Sequence, residues 1–187
     1  SGSSTHAEGS RTVAGGHNSH SEGLYSQSLG NQSHAEGDHS TSIGSTSHVE
    51  GYYVVANGSY SHAEGQYTTS IGAASHAEGY NTTASGDGSH AEGNSTAASS
   101  DYSHTEGYQS VSSGYVSHAE GVKNFAIGEA SHAEGGNADY LENNYAYGNY
   151  SHAEGSYTVA RGISSHAEGR YTDASGRYSH AEGEQTT

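Results

Sequence analysis

The unit Ser-His-Ala-Glu-Gly, or a close variant of it, recurs thirteen times along a chain of 187 residues. The histidines are His6, His20, His34, His48, His62, His76, His90, His104, His118, His132, His152, His166 and His180. Two residues after each stands a glutamate: Glu8, Glu22, Glu36, Glu50, Glu64, Glu78, Glu92, Glu106, Glu120, Glu134, Glu154, Glu168 and Glu182. A glycine follows every one of these glutamates. The step between motifs is fourteen residues throughout, except from His132 to His152, where it is twenty. Self-similarity at a fixed short period marks a solenoid, in which each repeat rests on its neighbours and cannot bury its inner face alone.

Without that period, composition would point to disorder. Leu, Ile, Val and Phe together number sixteen, and the formal charge is −16, too little apolar surface and too much charge for a single globular core. A stack of coils needs only a thin core, and association between chains supplies further burial. Cysteine is absent, so no disulfide framework forms. No apolar run approaches a membrane span, and no basic leader with an apolar run opens the sequence. Five basic residues against twenty-one acidic ones argue against nucleic acid and anionic membrane as partners. Residues 1–5 read as a remnant or N-terminal cap. Residues 6–187 read as a single repeat domain with a six-residue insertion within 136–145.

Each coil divides into Ser-His-Ala-Glu closed by glycine and a second alternating stretch closed by glycine, as in Tyr67-Thr68-Thr69-Ser70-Ile71-Gly72. Alternation with period two and punctuation by glycine favour strands. A helix would carry two glycines per coil, at about 1 kcal/mol each. The expected fold is therefore all-β: a parallel solenoid of about thirteen coils, with two strands of about four to five residues in each fourteen-residue coil. The glycines are expected to supply positive φ at the turns. Three columns hold small residues and are expected to face inward. One runs Ala7, Ser21, Ala35, Val49, Ala63; the second Thr12, Ser26, Ser40, Val54, Thr68; the third Ala14, Ser28, Ser42, Ala56, Ser70. By strand parity each His and Glu then shares the opposite face. The mixed column Val13, Gln27, Thr41, Val55, Thr69 is expected to be partly exposed. Sixteen tyrosines either cover the thin core or offer a binding surface.

The unit Ser-His-Ala-Glu-Gly, followed by nine residues with an Ala-x-Gly in the middle, resembles the head repeats of trimeric autotransporter adhesins. The His-Ala-Glu version is similar to the variant in phage tail fibres and related appendages. The resemblance implies a left-handed parallel β-roll that assembles as a homotrimer. Adhesin heads carry Val or Ile where His and Glu stand in this chain. The family pattern directs those positions into the roll or a subunit interface, and the small columns direct them away from the interior. A subunit interface around a threefold axis satisfies both.

A column of carboxylates about 4.8 Å apart repels by about 3.5 kcal/mol per neighbour at an effective dielectric of 20. Histidine on the same face, thirteen times of thirteen, reads as the compensating partner. The expectation is a structural ladder of imidazolium and carboxylate, hydrogen-bonded to Ser or backbone, that locks the register between coils. It would raise the histidine pKa values and place greatest stability between about pH 4.5 and 6.5. No catalytic residue, metal-ligand set or cofactor is assigned, because catalysis needs one distinctive site and the spacing matches no zinc motif. Metal binding by rings of His and Glu at a trimer axis stays open, as does an ice-binding face of Thr and Ala. Insertions in solenoids map to loops on one face. The segment after Gly136 therefore offers Tyr140, Leu141, Tyr145 and Tyr147 as candidate ligand contacts. The expected function is a rigid structural or adhesive segment of an extracellular fibre, on a cell surface or a virion tail appendage, and not an enzyme. The alternative is a module that binds a glycan or protein receptor through surface tyrosines and the 136–150 insertion.

Overall fold

A computed structural model describes residues 2–136 and 143–187. The candidate contacts Tyr140 and Leu141 lie outside the described residues. All regular structure among these residues is β-strand, numbered from β1 (His6–Ser10) to β25 (His180–Ala181), and none of it is a helix long and apolar enough to cross a membrane. The chain forms two compact units, Ser1–Gly93 and Asn94–Thr187.

Both units are parallel β-solenoids. In the first, β7 (His48–Tyr52) lies beside β9 (His62–Gln66) with His48 opposite His62, Glu50 opposite Glu64 and Gly51 opposite Gly65. The short strands β8 (Val55–Ala56) and β10 (Thr69–Ser70) pair in the same register. In the second unit β21 (His152–Ser156) pairs with β23 (His166–Arg170), His152 opposite His166. The twenty-residue step does not break this register: His132 faces His152, Glu134 faces Glu154 and Asn124 faces Asn144.

The two strands of a coil are not of equal length. The one that starts at His spans up to five residues, and the second spans two or three. The second is cut short because left-handed residues flank it. Tyr67 (φ 57°) precedes Thr68-Thr69-Ser70, and Ala74 (φ 54°) turns the chain back toward the next motif. Residues other than glycine supply most of these corners; Gly88 (φ 61°) is an exception. Arg11, Tyr25, His39, Tyr53, Tyr67 and Asn81 hold one, and Asn18, Gln32, Thr46, Tyr60 and Ala74 hold the other. Left-handed backbone costs a residue with a Cβ about 1–2 kcal/mol. Here the ladder fixes it, because the corner N–H donates to the coil before: Tyr67 to Tyr52 O at 3.0 Å, Tyr60 to Ser45 O at 2.9 Å.

The glycines serve two purposes, only one of them the expected one. The motif glycines do adopt positive φ, as at Gly65 (φ 103°). The second column, Gly16, Gly30, Gly44, Gly58 and Gly72, has ordinary φ and is glycine for want of room. A Cβ on Gly58 would lie inside the van der Waals shell of Gly72 O and 2.5 Å from Gly72 C. Bare backbone stacks on bare backbone there.

The three small columns face inward as expected. Ala35, Val49, Ala63, Val54, Thr68, Ser42, Ala56 and Ser70 are all 0% exposed. A fourth interior column is the serine that opens each motif, Ser33, Ser47, Ser61 and Ser75, at 1–2% exposure. Its hydroxyl donates back across the turn: Ser61 Oγ to Gly58 O and Ser75 Oγ to Gly72 O, both 2.6 Å. These serines therefore serve the turn rather than the ladder. The interior is thin and half polar, so hydrogen bonds worth about 0.5–1.5 kcal/mol each contribute alongside the methyl groups of alanine. Because the threonine column is interior, it cannot form an ice-binding face. Most of the described tyrosines do not cover the core either: they sit at strand ends and corners, 39% exposed at Tyr52 and 69% at Tyr60.

Candidate functional site

Strand parity sends the motif alanine into the coil and its two neighbours, His and Glu, out of it. The register then stacks like on like. In the first unit the imidazole rings of His34, His48, His62, His76 and His90 lie 4.8 Å apart, with planes within 5° of parallel. In the second unit the rings of His104, His118, His132 and His152 are again 4.8 Å apart, and His152 and His166 follow at 4.7 Å. The stack loosens toward the described ends: His6 meets His20 edge-on at 79°, and His166 and His180 are 16° from parallel.

Ten of the thirteen motif imidazoles have their own glutamate within ion-pair reach; His34, His48 and His152 do not. Nε2 lies 3.5 Å from Oε2 in His62–Glu64, His76–Glu78 and His166–Glu168, and 3.6 Å in His118–Glu120. These pairs are within ion-pair reach and too long for good hydrogen bonds. Glu134 differs. It swings to the next coil, with Oε1 3.1 Å from His152 Nε2, and stays 3.9 Å from its own His132. Its side chain is 26% exposed against 38% for Glu78.

The ladder is only partly the expected one. His and Glu do share a face and do pair within most coils. The imidazoles, however, are not driven toward the charged form. Burial pushes the pKa of His34, His48, His62, His132 and His166 down, and the neighbouring imidazoles push it further the same way. Nearby carboxylates oppose the shift without reversing it. The reason is geometric: each ring is sandwiched between two rings, so a proton on one loses water and meets like charge on both sides. The expected raised pKa is therefore corrected for these five. Nε2 of His20, His34, His48, His62, His76, His118, His132 and His166 is buried with no hydrogen-bond partner.

Two of the four candidate ligand contacts are described. Tyr145 stacks between Phe125 at 5.0 Å and Tyr147 at 5.1 Å, so its ring faces are taken and only edges remain. Among the described residues, the most exposed tyrosines are the corner residues Tyr60, Tyr102, Tyr150 and Tyr178, at 58–73%, part of the tyrosine surface that the sequence offered for binding. Their common place two residues before the motif histidine is the signal that could have set them apart. One titratable pair was also missed: His39 Nδ1 lies 2.6 Å from Asp38 Oδ1, its ring stacked between Tyr25 and Tyr53 at 4.6 and 4.5 Å.

Groups of two imidazoles and one carboxylate, such as His76, Glu78 and His90, or His132, Glu134 and His152, bring one ligand atom from each residue within 4.8 Å of one another. The arrangement can hold a cation or carry a repeated polar contact to another surface.

Fold and ladder together define a β-solenoid repeat protein with one uniform polar face on each unit. The family model for the YadA head domain repeat matches residues 21–47, 35–61, 63–89 and 77–98. These segments are similar to YadA head repeats, in line with the resemblance to trimeric autotransporter adhesin heads. No curated protein matches the chain.

Proposed function

We propose that this chain is a rigid structural or adhesive segment of an extracellular fibre, in which three copies of a left-handed roll meet with their His/Glu faces around a threefold axis. The observation that carries the reading is the histidine face itself. It is the most uniform outer face, it repeats coil after coil, and eight of its Nε2 atoms, from His20 to His166, are buried without a hydrogen-bond partner. A face that presents one chemistry at every level suits a symmetric partner with the same repeat. The YadA head match supports the same assembly, and with it a place on a cell surface or a virion tail appendage. The reading assigns no turnover, since equivalent coils repeat one motif where a catalyst needs a singular site.

Light scattering tests the assembly. Three chains of 19.2 kDa give a trimer of about 58 kDa. A folded monomer at micromolar concentration overturns it.

A second reading rests on the corner tyrosines. Tyr60, Tyr102, Tyr150 and Tyr178 present amphipathic rings to solvent, the chemistry that contacts a glycan or a protein receptor. Glycan-array or cell binding that disappears on Tyr102→Ser and Tyr150→Ser, with the fold intact, would favour this over an inert shaft.

A further inference from the structure

Eight imidazole nitrogens of the ladder are buried without a hydrogen-bond partner, and each belongs to a motif whose glutamate shares the same face. An unpaired buried ring nitrogen is costly. A column of carboxylates in a chain of net charge −16 is costly too. One cation placed between Nε2 and Oε2 of the same coil relieves both.

The separation of those two atoms fits a particular class of cation. A first-row divalent metal bound at about 2.1 Å to nitrogen and oxygen, with tetrahedral angles, holds the two ligand atoms about 3.4 Å apart. The pairs His62–Glu64, His76–Glu78 and His166–Glu168 stand at 3.5 Å, and His118–Glu120 at 3.6 Å. Successive imidazoles do not fit one ion in the same way. Their rings are 4.8 Å apart, beyond the roughly 4.2 Å that two bonds of about 2.1 Å can span. Each ion therefore takes one imidazole and one carboxylate, from a single coil at these four pairs and from neighbouring coils at Glu134 and His152.

We propose that the His-x-Glu pair is a two-point site for a first-row divalent transition metal, zinc being the representative ion, and that the ladder of each unit is an array of such sites. Imidazole with carboxylate selects zinc, cobalt or nickel over calcium and magnesium, which prefer all-oxygen shells. The remaining coordination positions go to water or, where the proposal rests on the trimeric reading above, to the same pair on two other chains. Occupancy is limited by charge. An ion and its glutamate leave one net positive charge, and two such levels 4.8 Å apart repel. A loaded level beside an empty one places a free carboxylate next to the ion, so alternate levels fill first.

The test is a cobalt(II) titration of the full chain at pH 7.5, after removal of metal with EDTA. A visible ligand-field band should rise and saturate near one ion for every two motifs, about six per chain, and zinc should bleach it. The isosteric pair Glu64→Gln with Glu78→Gln should lower the stoichiometry by about one, as should His62→Asn with His76→Asn, while His39→Asn, off the ladder, leaves it unchanged. No band beyond that of aqueous cobalt overturns the proposal, and so does a band that survives the ladder variants but is lost with His39→Asn. Light scattering of the EDTA-treated protein separates the two readings. A trimer that binds no cobalt keeps the rod and removes the metal sites. A monomer that binds cobalt keeps the sites on each chain and removes the trimer.

Discussion

His48 and His62 lie face to face, ring centroids 4.8 Å apart and planes 3° from parallel. Burial pushes the pKa of both rings down, and His62 pushes His48 down further across this contact. Glu36, Glu50 and Glu64 act on His48 in the opposite sense. At these two rings the contact thus favours neutral imidazole, even with carboxylates at hand.

The pH dependence follows from that direction. His34, His48, His62, His132 and His166 all have folded pKa values below the ordinary one. Between the lowered values and about pH 6.5 the unfolded chain binds more protons than the folded one, so stability rises with pH there. The contribution is full above about pH 6.5 and is lost as pH falls through the folded values. Melting temperature in EDTA should be level above pH 7 and should fall on acidification from that point. A maximum between about pH 4.5 and 6.5, the outcome expected of a charged ladder, would mean that imidazolium is the folded form.

Two glycines separate close packing from turn chemistry. Gly58 has ordinary φ, and a Cβ there meets the backbone of Gly72. Coils would have to part to admit it, so Gly58→Ala should cost about 2–4 kcal/mol. Gly88 (φ 61°) sits at the corner that Tyr60 (φ 61°) and Ala74 (φ 54°) occupy in earlier coils. Gly88→Asn should therefore stay within about 0.5 kcal/mol of the parent. Equilibrium unfolding of the two variants checks the contrast, and equal losses would refute it.

What could be read from the sequence was whatever depended on period and parity. The small columns, the outward face of His and Glu, and the register across the twenty-residue step all follow from spacing alone. The corners were not legible, because tyrosine or threonine in a left-handed conformation has no local signature. Tyr67 is held there by a hydrogen bond to a coil fifteen residues back, Tyr52. Nor was the protonation preference of the ladder. The pairing of His62 with Glu64 is visible at i+2, but the stacking of His48 on His62 that opposes protonation is a through-space relation.

The buried threonines divide into two kinds with opposite expected responses. Thr82 Oγ1 is buried with no partner, in the column where Val54 is accommodated at 0% exposure. Thr82→Val removes an unsatisfied hydroxyl and should stabilise by about 1 kcal/mol. Thr158 Oγ1 instead donates to Asn144 Oδ1 at 3.0 Å. Thr158→Val should destabilise by about 1 kcal/mol. Denaturant midpoints that move in the same direction for both would show that side-chain volume, rather than hydrogen bonding, governs the column.

Asn144 closes the interior beside the lengthened coil. It is fully buried, and its amide nitrogen lies 2.8 Å from Asn124 Oδ1, 2.9 Å from Glu134 O and 2.8 Å from Gly155 O. Asn124 in turn donates to Gly135 O at 3.0 Å. The pair thus supplies donors to carbonyls on both sides of the insertion, where Thr and Ser serve other coils. Asn144→Leu has a comparable volume and strips all of these donors at once. Leaving buried acceptors unpaired costs about 1–3 kcal/mol for each group, so the expected loss is about 3 kcal/mol or more in total. Asn144→Thr restores the residue of the regular coils and tests whether the amide is needed. If Thr is tolerated as well as Asn, the lengthened coil asks nothing special of its interior; a loss close to that of Leu assigns the stitching to the Asn pair. Hydrogen exchange at Gly136 N–H, which donates to Gly155 O at 2.7 Å, should quicken in the Leu variant before the global melting transition moves.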